Sequence, residues 1–202
     1  MASTNKDNEK KKVKLKITKN RMITVFVIVA AVVAAYIYVW YVPKPVYSVD
    51  YKGVILNFRA DLREADKVSV QPGPDQVFTE LINPLVKNIT IVYNATGDPD
   101  QDKYYSLAAF EISEKLKLGM LARNINDVGI DAMPLSDFNL TTYENLPGKI
   151  QHPLVVVILP VYANQTRVFV STDHIVFIEA VTYKDFDLAI DKFLMSALRI
   201  QV

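Results

Sequence analysis

The stretch Val86–Met133, VKNITIVYNATGDPDQDKYYSLAAFEISEKLKLGMLARNINDVGIDAM, decides the fold. Val86 to Tyr93 is β-branched and apolar around Ile89, Ile91 and Val92, which predicts a strand. Asn94 to Gln101 is rich in turn residues. From Asp102 to Ala122 the residues Tyr105, Ala108, Ala109, Ile112, Leu116 and Met120 recur at three- and four-residue steps. That period predicts the longest helix of the domain, with this stripe buried and Glu111, Glu114, Lys115 and Lys117 elsewhere. Val128 to Met133 returns as a strand. Strand, long helix and strand make a βαβ unit, which implies parallel pairing and a right-handed crossover.

Working outward towards the N-terminus, Pro74 opens a short helix that presents Val77, Phe78, Leu81 and Ile82 and ends near Asn83-Pro84. Before it, Tyr51–Phe58 and Lys67–Val70 read as strands. Towards the C-terminus, Pro134–Pro153 is a surface excursion with one helical turn expected at Ser136–Asn139. Leu154–Leu159 is the most apolar run of the domain and predicts a central strand buried on both faces. Arg167–Ser171 and Ile175–Ala180 are expected to complete an antiparallel meander with it. Thr182 and Asp185 form a capping-box pair at the start of a last helix, which runs to about Arg199 and turns Phe186, Ala189, Ile190, Phe193, Ala197 and Leu198 inward. The expected fold is α/β or α+β, with a mixed sheet of about six strands and two or three helices.

Ahead of this domain stands Met22–Val42, MITVFVIVAAVVAAYIYVWYV, which carries no charged side chain. About twenty such residues at roughly 1.5 Å rise match a hydrocarbon core of about 30 Å, so the run predicts a single transmembrane helix. The chain then divides into a basic tail at 1–21, the helix at 22–42, a Pro-rich connector at 43–46 and an extracytoplasmic domain at 47–202. Pro43 and Pro45 remove two donors and stiffen the connector. A cleaved signal peptide ending near Val33 and Ala35 is the competing reading; the run's length and the belt of Tyr36, Tyr38, Trp40 and Tyr41 favour an uncleaved anchor. Ala30 with Ala34 and Ala31 with Ala35 give small-residue spacing that suits a partner helix.

Orientation follows from charge. Lys6, Lys10, Lys11, Lys12, Lys14, Lys16, Lys19 and Arg21 precede the run against only Asp7 and Glu9, which places the N-terminus in the cytoplasm. Taking these eight basic and two acidic residues from the chain's 23 and 22 leaves fifteen basic against twenty acidic from Pro43 onward. A basic tail against a membrane helix points to anionic headgroups rather than to nucleic acid. Four Asn-X-Thr triplets, at Asn88, Asn94, Asn139 and Asn164, all follow the helix and are glycosylation candidates on an external surface. With no cysteine in the chain, disulfides are excluded, and the combination leans towards a prokaryotic cell envelope, archaeal first.

Chemical motifs are sparse. His152 and His174 are the only histidines, and without Cys they do not make a tetrahedral zinc site. Ser171, Asp173 and His174 are neighbours in a turn, with no Gly-X-Ser-X-Gly to present a nucleophile. Asp98, Asp100 and Asp102 have the opening spacing of a Ca²⁺ loop, but Lys103 and Ala109 occupy its glycine and glutamate positions, so helix-dipole stabilisation explains them better. No glycine pattern cradles phosphate. Asp127 with Asp131, and Asp185, Asp187 and Asp191, are the carboxylates available for acid-base chemistry, the last set read as solvated at a helix start. Tyr104, Tyr143, Tyr162 and Tyr183 fall off the core stripes.

The sequence therefore predicts a single-pass, signal-anchored, non-enzymatic subunit or accessory protein of an envelope or membrane complex. It is expected to act on protein partners through its external domain, without cofactor, and self-association is compatible with it. A membrane-tethered receptor for a small solute or glycan is the alternative, its cleft placed between Asn94–Asp102 and Pro134 at the ends of the parallel strands. A carboxylate-based hydrolase ranks third.

Overall fold

A computed structural model describes residues 19–41, 47–94, 96–138, 154–158, 162–173 and 175–202. The chain divides into two compact units, Met1–Pro43 and Lys44–Val202. The first contains helix α1, Lys19–Tyr41, which begins within the basic stretch because Lys and Arg are good helix formers. Its described side chains, residues 23–34, are exposed on every side, Phe26 at 75% and Val32 at 62%. Among the described residues no helix is long and apolar enough to cross a membrane. Ala30, Ala31 and Ala34 belong to this exposed surface. The side chains of Ala35, Lys19 and Arg21, and residues Lys10, Lys11, Lys12, Lys14 and Lys16 altogether, lie outside those described.

The second unit is an α/β domain. Its strands are β1 (Tyr47–Tyr51), β2 (Val54–Phe58), β3 (Ser69–Gln71), β4 (Asn88–Tyr93), β5 (Gly129–Pro134), β6 (Leu154–Ile158), β7 (Arg167–Val170) and β8 (Ile175–Glu179). Its helices are α2 (Leu62–Ala65), α3 (Pro74–Leu81), α4 (Pro99–Leu121) and α5 (Tyr183–Leu198). Six strands form one mixed sheet in the order β3-β7-β8-β6-β4-β5, and β1-β2 is a separate hairpin. The βαβ unit is as expected: β4 and β5 are parallel neighbours, with Ile89 opposite Ile130 and Ile91 opposite Ala132. β6 is central, parallel to β4 on one side and to β8 on the other.

The described domain has four helices where two or three were expected, the short α2 being the addition, and two strand expectations fail. Tyr51–Phe58 is not one strand but the end of a hairpin that turns at Lys52-Gly53, where φ is +52° and +85°. Two consecutive left-handed residues match the right-handed twist of the flanking strands, and Gly53 supplies one at no steric cost. The meander is also incomplete. β7 and β8 are antiparallel, with Arg167 opposite Glu179 and Phe169 opposite Phe177, but β6 pairs β8 in parallel and does not pair β7.

α3, α4 and α5 pack with the hairpin over one face of the sheet. Ile89, Ile91, Val155, Val157, Val168, Val176 and Ile178 from the strands meet Leu81, Ile112, Leu116, Phe193 and Leu198 from the helices, and Leu56 and Phe58 from β2, all essentially inaccessible. Every residue of the two predicted helix stripes is in this core. Burying a side chain of this kind contributes roughly 1.5–3 kcal/mol, which is what holds the layers together. On the opposite face Phe169 stacks on Phe177 at 4.6 Å, and Val92 packs with Met133, Phe138 and Ile175.

Candidate functional site

The chain leaves β4 through α4 and returns as β5 on one side, while β6 stands on the other. Such a reversal opens a crevice at the carboxyl ends of the strands, because the connections diverge there. A cavity of about 330 Å³ lies at that place, lined by Val92, Tyr93 and Asn94 at the end of β4, Val157 and Ile158 of β6, Tyr105 of α4, Leu135 and Tyr162. Tyr93 and Tyr105 stack at 5.1 Å and form one wall; Tyr162 is half exposed. The described lining is mostly apolar and has no charged side chain, so it suits a neutral group rather than an ion. Of the cleft expected between Asn94–Asp102 and Pro134, this cavity includes Asn94 and, beside Pro134, Leu135, but not Asp102, and β6 contributes a wall that the sequence does not point to.

The loop beside the crevice is fixed by the three aspartates considered for Ca²⁺. Asp98 is the N-cap of α4 and accepts from Asp100 N at 2.9 Å; its other oxygen accepts from Gln101 Nε2 at 3.1 Å. Asp102 accepts from the Thr96 backbone N–H at 2.9 Å, the Thr96 hydroxyl at 2.8 Å and Gly97 N at 3.1 Å. Those donors hold its carboxyl below the usual range, the backbone N–H of Thr96 first among them. Asp100 faces Lys103 at 3.0 Å on the solvent side and raises that ammonium's pKa. Each carboxylate thus serves the loop or the helix start, and among the described residues no group of three or more ligand side chains could hold a metal ion.

A second cluster was not foreseen. Glu111 and Lys115, expected away from the core, are buried and paired to each other, and Arg59 Nε approaches the other Glu111 oxygen at 3.3 Å. Lys115 also lies 5.0 Å over the Phe58 ring. Asp191, expected at a solvated helix start, is inaccessible: Oδ2 accepts from Ala60 N at 2.9 Å, and Oδ1 is buried with no hydrogen bond. Burial, then the negative charge of Glu111, pushes the Asp191 carboxyl up to about 7, against the opposing pull of the Ala60 N–H and Lys115. Asp187 is raised by the same two causes, opposed by Arg59 and Lys115. The cluster joins the chain after β2 to α4 and α5. Its sequence signal was the i, i+4 pair Glu111–Lys115 at the flank of the apolar stripe, one step from Ala108 and Ile112.

The remaining singled-out residues disperse. Asp185 is the expected capping partner: its N–H donates to Thr182 Oγ1 at 3.2 Å, and Thr182 Oγ1 donates to its carboxylate at 2.6 Å. Asp131 accepts from Asn88 Nδ2 at 3.0 Å. Ser171 Oγ accepts from Asp173 N and Ile175 N in the β7–β8 turn. Tyr104 packs on Tyr183 at 4.6 Å and edge-on to Phe186. Of the Asn-X-Thr asparagines, Asn94 and Asn164 are exposed in loops and Asn88 is half-buried in β4. Asn139, Tyr143, His152 and His174 lie outside the described residues. In comparisons with known proteins, no family model, curated protein or solved structure matches this chain.

Proposed function

We propose that the protein is a single-pass membrane-anchored, non-enzymatic accessory subunit whose α/β domain lies outside the cytoplasm and engages partners in the membrane or envelope. The observation that carries this reading is the uncharged run Met22–Val42, most of which lies in α1. The 23 residues of α1 make a rod of about 34 Å, and its described apolar side chains are exposed all round. No described helix is by itself long and apolar enough to cross a membrane, so the anchor rests on the sequence: the uncharged run, about twenty residues, matches the thickness of a bilayer core, and the exposed apolar side chains of α1 are consistent with it. The basic residues ahead of it set the orientation. The non-enzymatic part is supported by what the carboxylates do: Asp185 caps α5, Asp131 holds Asn88, and Asp191 is sealed in the core.

Native mass spectrometry of the full-length protein, gently extracted from its own membrane, tests this. A reproducible assembly with other subunits is expected; a lone monomer in every extraction contradicts it. A second reading, a tethered receptor for a small solute, is favoured by the crevice between β4 and β6. Under it, a neutral ligand raises the unfolding temperature of the domain, and Tyr162→Ala diminishes that rise.

A further inference from the structure

The fold treats the Asn-X-Thr triplets unequally. Asn88 is half-buried at the start of β4, opposite Gly129 of β5: its Nδ2, the atom that would carry a sugar, donates to Asp131 Oδ2 at 3.0 Å, and its Oδ1 lies over Gly129, where any Cβ would collide with it. Thr90, the hydroxyl residue of that triplet, is buried in the same strand. Asn94 and Asn164 stand instead in exposed positions at the carboxyl end of the parallel strands, Asn94 on the crevice and Asn164 two residues from Tyr162. Their threonines are engaged in the folded domain: Thr96 Oγ1 donates to Asp102, and Thr166 Oγ1 accepts from Val181 N at 3.0 Å.

Resting on the external placement proposed above, we infer that Asn94 and Asn164 carry N-linked glycans at the rim of the crevice, and that Asn88 is unmodified in the folded protein. The donor is a lipid-linked sugar phosphate. The asparagine amide nitrogen attacks C1 of the sugar, the C1–O bond to phosphate breaks, and the lipid phosphate leaves with the electron pair. The amide proton passes to a base of the transferase. A glycan on Asn94 or Asn164 extends into solvent and needs no strand to move. One on Asn88 has to share the amide nitrogen with Asp131, on a half-buried side chain already hemmed in over Gly129, so chains modified there are selected against in the folded pool.

The full chain is produced in a glycosylating secretory host, and the monodisperse folded fraction is deglycosylated enzymatically in heavy-oxygen water, which converts each formerly modified asparagine to labelled aspartate. Peptide mapping is expected to place label at Asn94 and Asn164 and none at Asn88. Label at Asn88 in the folded fraction overturns the inference, as does its absence from Asn94 and Asn164 in a domain that a lumenal protease can reach. If the domain is reached only by a cytosolic protease, the external placement fails and the inference with it, so the two failures are told apart.

Discussion

Asp191 is the residue whose chemistry departs furthest from its sequence appearance. Its carboxyl titrates near 7 in the folded chain against an ordinary value of 3.8, so the native state binds this proton more tightly than the unfolded state. The contribution is fully present below the unfolded value and is lost as pH rises through about 7. Stability to urea should therefore be greater at pH 5.5 than at pH 8, and Asp191→Asn, which keeps an acceptor for Ala60 N without the charge, should flatten this dependence and raise the midpoint at pH 8. A midpoint at pH 8 that falls in the variant contradicts the assignment. Lys115→Met should cost about 3 kcal/mol, because it leaves Glu111 buried beside one half-exposed arginine. In the sequence only the i, i+4 spacing of Glu111 and Lys115 points to the pair, and nothing points to the burial of Asp191. The helical period of α4 identifies its own stripe, but burial at the flank depends on α5 and the hairpin, which come from more than forty residues away on either side.

Elements were more legible than their pairing. α3, α4 and α5 lie close to their predicted positions because the apolar period of each agrees with a start signal: Pro74 for α3, Asp98 and Pro99 for α4, and the Thr182 cap for α5. Replacing Thr182 with Ala removes the acceptor for Asp185 N and should lower stability by about 1 kcal/mol, readable from chemical denaturation with an unchanged m-value. The hairpin was missed because Lys-Gly is a weaker turn signal than Asn-Gly, and the β-rich composition of Tyr51–Phe58 continues across it. The β6–β7–β8 order was misjudged for a different reason. Only the β7–β8 connection is of hairpin length; the longer segment between Ile158 and Arg167 lets β8 come to lie beside β6. The carboxyl-end crevice could be placed from the βαβ unit, since divergent connections are a property of topology, but its aromatic wall required knowing that Tyr105 faces Tyr93.

At the scale of the whole molecule the division into α1 and the domain after Lys44 has a direct consequence. The described apolar side chains of the first unit are all exposed, whereas the second unit has a packed core and exposes apolar side chains only here and there, so the full chain should require detergent while residues 47–202 alone should remain in solution and unfold cooperatively. Aggregation of that fragment without detergent contradicts this separation. The central claim, an anchored chain with its tail inside and its domain outside, is tested most directly by labelling, which the absence of native cysteine makes clean. Ser3→Cys and Ser136→Cys, one in the tail and one exposed in the domain, are treated in intact cells with a membrane-impermeant maleimide. Labelling of Ser136→Cys at once and of Ser3→Cys only after permeabilisation is the predicted result; the reverse pattern, or equal protection of both, contradicts it.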